Sequence, residues 1–387
     1  MRKLLLAIAA LPLALVLGFA AAVSAQSAAG DPKVYKIGAI LAMSGQASWY
    51  GTVMSQGIKQ AVDEINAKGG VNGIPLEAVI DDHKSGNAQE GVSAMNRLLS
   101  IHGAKIVLTS FSAPTQAIAP LADQNQVLLL NGGGVSNNLV GASKYIFHNR
   151  SLAGDLGRAA AQHAQSLGAK RMAVLHWKND AGDNIVRAVQ PMWEKGGGSI
   201  VAVEAVPQGA TNMDTQIAKV RAANPDIVAL WMFAPEVGIA VKRLRELGMK
   251  QPLIGVEYTA NDAKIAGEHG EGYLFINDYF QPSAEFPWSQ QFAQGYEKRY
   301  GAKPEFYAAN YYEAVYVVAE LLKRARSQGG DYVNGEALKK ALYANPKFDS
   351  VYGGQMVFQP NGVAFKRVGL FKVEGGQGKF QKYIEVK

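Results

Sequence analysis

Three short segments carry the side chains best suited to holding a small charged molecule. The first is Thr109-Ser110-Phe111-Ser112, followed by Ala113-Pro114. Ahead of a helix expected over about 113–125, Ser112 reads as an N-cap and Pro114 as part of the first turn. A helix N-terminus has free backbone N–H groups and a positive dipole end, which suits a carboxylate. The second segment, Asn131-Gly132-Gly133-Gly134, leaves backbone amides approachable beside Ser112, because glycine has no side chain to screen them. Together these two strand ends offer donors to one anion; the plainer reading of Ser112 is an ordinary cap. The third segment holds Glu257, at the end of Leu253–Val256. It reads either as an acceptor for an ammonium group or as part of a surface or hinge salt bridge.

Aromatic residues cluster at the same kind of position. Trp177, Trp231 and Phe233 fall at strand ends between residues 172 and 233, in what reads as a second lobe, Trp49 and Tyr50 in the first loop, and Tyr279 and Phe280 near a crossing. Each alone reads as core packing. Together with Phe111 they predict an apolar wall for a cleft. Catalytic chemistry has little support: there is no phosphate-binding G-x-x-x-x-G-K-[ST], no H-E-x-x-H and no G-x-S-x-G. The Asn131–Gly134 run lacks the third glycine spacing of a dinucleotide loop. The six histidines are dispersed, and His163 falls on an apolar helix face. Asp81-Asp82-His83 reads as a solvated loop more readily than as a metal site. With no cysteine, thiol catalysis, iron–sulfur clusters and disulfides are excluded. The expectation is a protein that binds without cofactor or metal.

The elements that must place these residues follow one grammar. From Tyr35, short β-branched runs alternate with amphipathic helices: Ile37–Met43, Leu76–Ile80, Ile106–Thr109 and Val127–Leu130 as strands, with Ile58, Ala61, Val62 and Ile65 on one helix face. That alternation predicts α/β lobes with parallel sheets and right-handed crossovers. The rhythm breaks at Tyr145–Arg150, where a crossing between lobes is expected, and then restarts through Met172–Leu175, Ile200–Val206, Ile227–Phe233, Leu253–Val256 and Tyr273–Ile276. Helices return over 288–343, and three hairpin-like strands close the chain. The expected divisions are 26–147 and 148–278 for the two lobes, 279–345 for return helices spanning both, and 346–387 for the last strands. Ligands of such sheets sit outside the carboxyl ends of the strands, in the cleft between lobes.

Arg2 and Lys3, an apolar run to Val23 and the small-x-small Val23-Ser24-Ala25 have the pattern of a cleaved secretory leader covering residues 1–25. Two positive charges would leave with it, taking the formal +7 to +5. The basic groups are scattered, and export removes nucleic acid as a natural partner. A freely diffusing periplasmic monomer is the expectation.

Lys36-Ile37-Gly38-Ala39-Ile40-Leu41-Ala42-Met43-Ser44-Gly45 resembles the opening of the branched-chain amino-acid-binding proteins of bacterial ABC importers. So do Ala61-Val62-Asp63-Glu64-Ile65-Asn66-Ala67-Lys68-Gly69-Gly70-Val71-Asn72-Gly73 and Thr115-Gln116-Ala117-Ile118-Ala119-Pro120. The resemblance implies a type I periplasmic-binding fold, two doubly wound lobes joined by a multi-strand hinge, and a membrane permease as partner. It implies that Ser112 and a backbone group near Gly133 meet a carboxylate and that Glu257 meets an amine. Trp49, Phe111, Trp177 and Phe233 would surround an apolar body. Three positions depart from the family pattern: Val135 stands where a threonine is common, and Ala181 and Phe233 stand where tyrosines are common. The ligand it implies is an amino acid or a similar small apolar carboxylate; the lost hydroxyls leave an aromatic or aliphatic acid without an amine as the alternative. A ligand-sensing receptor domain of the same fold is a further alternative.

Overall fold

The alternation of strands and helices is realised in two lobes. The computed structural model describes residues 30–278, 280, 282, 285–366 and 368–384, so the expected leader over 1–25, Tyr279 and the end of the last strand lie outside the described residues. The first lobe holds β1 (Tyr35–Leu41), α1 (Ser48–Ala67), β2 (Leu76–Asp82), α2 (Ala88–Ser100), β3 (Ile106–Thr109), α3 (Ser112–Asn125), β4 (Leu128–Asn131) and β5 (Ile146–His148). Its strands form a parallel sheet of order β2-β1-β3-β4-β5. Period-two burial explains the two-sided packing. Ile37, Ala39, Leu41, Ile106 and Leu108 face one core, while Ile40 and Val107 face the other, under α2 and α3.

The second lobe runs through α4 (Ala153–Ser166), β6 (Arg171–Trp177), α5 (Asp180–Lys195), β7 (Ser199–Val206) and α6 (Asp214–Ala222). It continues with β8 (Ile227–Trp231), α7 (Glu236–Glu246), β9 (Leu253–Gly255), α8 (Ala260–Ala266) and β10 (Leu274–Asp278). There follow α9 (Pro287–Tyr300), α10 (Phe306–Arg326), α11 (Gly335–Ala344), β11 (Lys347–Asp349), β12 (Gln355–Phe358), β13 (Ala364–Phe365), β14 (Val368–Glu374) and β15 (Gln377–Ile384). The larger sheet has the order β15-β14-β10-β9-β8-β6-β7, parallel from β10 to β7 and antiparallel at β14 and β15. Gly375 and Gly376, at φ 60° and 75°, make the β14–β15 turn, a conformation for which glycine is the cheapest residue.

Three expectations change. The segment Tyr145–Arg150 is not yet the crossing: Ile146–His148 is a fifth strand paired with β4, and the crossing follows it. The helices of the C-terminal third belong to the first core, where Phe292, Tyr311, Val318 and Leu338 pack with α1, instead of spanning both lobes. At its N-terminal end α10 does reach across, through Glu305, which accepts from Ala260 N at 2.7 Å. The strand expected over Phe365–Val373 is two strands in two sheets. β13 ends in the small antiparallel sheet β11-β12-β13 and β14 begins in the large one, with buried Lys366 between them. No helix among the described residues is long and apolar enough to cross a membrane.

Candidate functional site

The carboxyl ends of strands from both lobes meet around a cavity of about 270 Å³. The loop after β3 supplies Phe111, Ser112 and Ala113, and the loop after β4 supplies Gly133 and Val135. The second lobe supplies Trp177 and Asn179 after β6, Gln208 after β7 and Phe233 after β8. Tyr50 and Met54 reach it from α1 and Tyr307 from the first turn of α10.

Ser112 does not cap its own helix. Phe111 is the cap residue, at φ 62° and ψ 142°, and Ser112 is the first helical residue. A bulky side chain at positive φ is strained by about 1–3 kcal/mol, a kind of strain that gathers at functional sites. The Ser112 hydroxyl oxygen accepts from Val135 N at 3.2 Å and Ser136 N at 3.0 Å. With both lone pairs used, the Ser112 O–H is left to donate, and the residue lines the cavity. Pro114 has no N–H, so the first free donors of α3 are those of Ser112 and Ala113; α5 differs, because Asn179 Oδ1 already accepts from Ala181 N and Gly182 N at 3.1 Å each.

His83 holds this loop from behind. It is fully buried, which corrects its reading as part of a solvated loop. Its Nδ1 accepts from Gly86 N at 2.9 Å, so Nε2 carries the proton and donates to Ser110 Oγ at 2.9 Å. Burial pushes the imidazole down to about 4. The neighbouring carboxylates are spent on structure: Asp81 pairs with Arg97, and Asp82 accepts from Met43 N, Ser44 N and Ser44 Oγ.

Six of the eight residues singled out from the sequence line the cavity: Phe111, Ser112, Gly133, Val135, Trp177 and Phe233. Trp177 and Phe233 form one wall, ring centroids 5.1 Å apart. Trp49 does not line it. It sits in the first turn of α1, not in a loop, and packs edge-on against Tyr50. Consecutive helical residues point about 100° apart, so one of the pair faces the cavity and the other turns away. Trp231 is core, fully buried among the second lobe's apolar residues, and Phe280 packs on Phe292 and Tyr352.

Glu257 also lies off the cavity surface, with 0% exposure. Its Oε1 accepts from the Tyr50 hydroxyl at 2.5 Å and from Ala234 N at 3.3 Å, and its Oε2 from the Tyr307 hydroxyl at 2.7 Å. Burial, with Asp262 nearby, raises the carboxyl to about 7; the two tyrosine donors and Arg150 pull against that rise. Tyr307, Met54, Gly86, Ala113, Asp180 and Gln208 also line the cavity without having been marked by the sequence. Gln208 stands on a strand-end loop and was findable by that rule. Tyr307 was not, because its helix is apolar on nearly every face and gives no cue to an end that touches a ligand.

The residues 34–378 match the model of a family described as periplasmic binding protein. The chain belongs to the periplasmic binding protein family. It is a solute-binding protein of the type that serves ABC transporters of branched-chain amino acids. The Leu/Ile/Val-binding protein of Escherichia coli K12 is 31% identical over 275 residues, covering 69% of this chain and 74% of the relative. A leucine-binding protein of Thermotoga maritima superposes with a TM-score of 0.81 at 25% identity, over 90% of this chain and 98% of that one. A Rhodopseudomonas palustris solute-binding protein solved with benzoate gives a TM-score of 0.82 at 19% identity, over 92% and 98%, and so shares the fold. The expected type I fold and the family are thereby established for this chain.

Proposed function

We propose that this periplasmic binding protein captures a small monocarboxylate with an apolar body between its lobes, in the periplasm, and presents it as a monomer to an ABC permease. One observation carries the reading. The free donor set at the N-terminal end of α3, the Ser112 hydroxyl with the Ala113 amide, lies at a cavity whose lining includes the apolar Phe111, Val135, Trp177 and Phe233. In this reading Ser112 and the Gly133 backbone anchor the carboxylate, and the rings bury the rest. A ligand touching both lobes favours their closed arrangement by its differential affinity. A micromolar dissociation constant needs about 8 kcal/mol, within reach of one charge-assisted hydrogen-bond site plus apolar burial.

A thermal-shift screen of amino acids, aliphatic acids and aromatic acids tests the reading. A binder at 100 times its dissociation constant adds about 2.7 kcal/mol of stability. Stabilisation by neutral amides or sugars, with none by any monocarboxylate, would overturn it.

A further inference from the structure

The environment of Glu257 decides which carboxylates fit. We propose that Glu257 latches one lobe to the other instead of receiving an ammonium group, so that the site selects carboxylates that lack an amine. The inference rests on the reading of the cavity as a carboxylate site.

Both carboxylate oxygens of Glu257 already accept hydrogen bonds within the protein. Tyr50 comes from α1 and Tyr307 from α10, both in the first lobe's core, whereas Glu257 follows β9 in the second lobe's sheet. The Tyr50 hydroxyl donates to Glu257 and accepts from Ala234 N at 2.8 Å. The Tyr307 hydroxyl donates to Glu257 and accepts from Arg150 Nη1 at 3.2 Å. The Arg150 guanidinium is fully buried, lies 5.4 Å from the Tyr307 ring centroid and already supplies a positive charge to this carboxylate. Both tyrosine rings stand edge to face, centroids 5.0 Å apart, and both residues line the cavity, which Glu257 does not.

An ammonium group placed in the cavity therefore meets Tyr50 and Tyr307 before it meets Glu257. To reach Glu257 it would have to displace a tyrosine hydroxyl that donates to the carboxylate and also accepts from Ala234 N or Arg150 Nη1. Asp180 is the carboxylate on the lining, but it is exposed at the first turn of α5, where water screens an ion pair. Val135, Ala181 and Phe233 add no hydroxyl acceptor. Rejection of a group left unpaired in such a site is steep.

The test compares matched pairs on the purified wild-type chain by calorimetry: 4-methylpentanoate with leucine, and 3-phenylpropanoate with phenylalanine. The acid of at least one pair is expected to bind, with the amino acid about 100-fold weaker or more. An amino acid that binds as tightly as its deaminated partner overturns the inference while leaving the carboxylate reading intact. Failure of every carboxylate, these and benzoate included, overturns both. Glu257→Gln supplies the second readout. As a latch residue, its loss weakens the acid while the ratio between acid and amino acid stays within about threefold, and it raises the radius of gyration of the ligand-free protein in small-angle scattering. Selective loss of amino-acid binding in Glu257→Gln would show an ammonium acceptor and sink the proposal.

Discussion

Lys366 and Glu313 meet as an ion pair at 2.5 Å, with side chains only 3% and 0% exposed. The lysine sits where the chain passes from β13 to β14, and so from the small sheet to the large one. Asn310 Oδ1 accepts from its Nζ at 2.8 Å, and the Tyr352 ring lies beneath it. Glu313 in turn accepts from Ser350 Oγ and Val351 N. Removing one partner of such a pair strands a buried charge, at a cost of about 3–5 kcal/mol. Lys366→Met is therefore expected to lower the unfolding free energy by that amount in a denaturant titration. The double variant Lys366→Met with Glu313→Leu should recover much of the loss, because no charge is then left alone.

Ser112→Ala removes the donor at the mouth of α3. Hydrogen bonds to charged groups are worth about 1.5–3 kcal/mol, so carboxylate affinity should fall roughly 10- to 100-fold by calorimetry. A variant that binds its best acid as tightly as wild type would remove Ser112 from the site.

Gly133→Ala tests the closeness of the second strand end. A Cβ there would stand 2.9 Å from Ser110 Cβ and 2.9 Å from the Tyr311 hydroxyl. Overpacking of this order costs about 1–3 kcal/mol, and the displaced backbone borders the cavity. Both the melting temperature and the affinity should drop.

Glu257 gives stability a pH dependence of defined sign. Its carboxyl is held at about 7 in the folded protein against an ordinary 4.5, so the folded state keeps its proton over a range where the unfolded state has lost it. The burial penalty is absent below about pH 4.5, grows as pH rises, and is complete above about 7. Glu257→Gln removes it, so unfolding titrations should show the variant gaining on wild type as pH rises from 5 to 7. The gain approaches about 1.4 kcal/mol for each pH unit within that interval. A difference that stays flat with pH would show that the carboxyl titrates alike in both states. His83 and His148, both pushed down to about 4 by burial, act with the opposite sign: their contribution is present above about 6.5 and lost as pH falls towards 4. The difference between variant and wild type isolates the carboxyl from them.

Much of this protein is legible in its residues, for reasons that are local. Alternating burial in Ile37–Leu41 and Ile106–Thr109 is a period-two pattern that a strand cannot hide. The loops around the cavity were legible because ligands of parallel sheets gather at strand carboxyl ends, the rule that marked Ser112, Gly133 and Phe233, and all three line the cavity. What escaped depends on distant contacts. Nothing near Glu257 in the sequence announces that Tyr50, 207 residues earlier, and Tyr307 will take its two oxygens. Nor does a single apolar run over Phe365–Val373 disclose that Glu313, far upstream, draws Lys366 inward and divides it. Phe111 in a glycine-like conformation was equally invisible, since its side chain argues against it.

The repeated crossing of the chain has a consequence for how the molecule is made. The first lobe lacks α10 and β11–β13 until most of the chain exists, and the second lacks β14 and β15 until nearly all of it does. Domains usually fold in the order in which they are synthesised, but here neither half can close its core early. The growing polypeptide stays short of its native form until its final strands are delivered, and a severed half is not a domain.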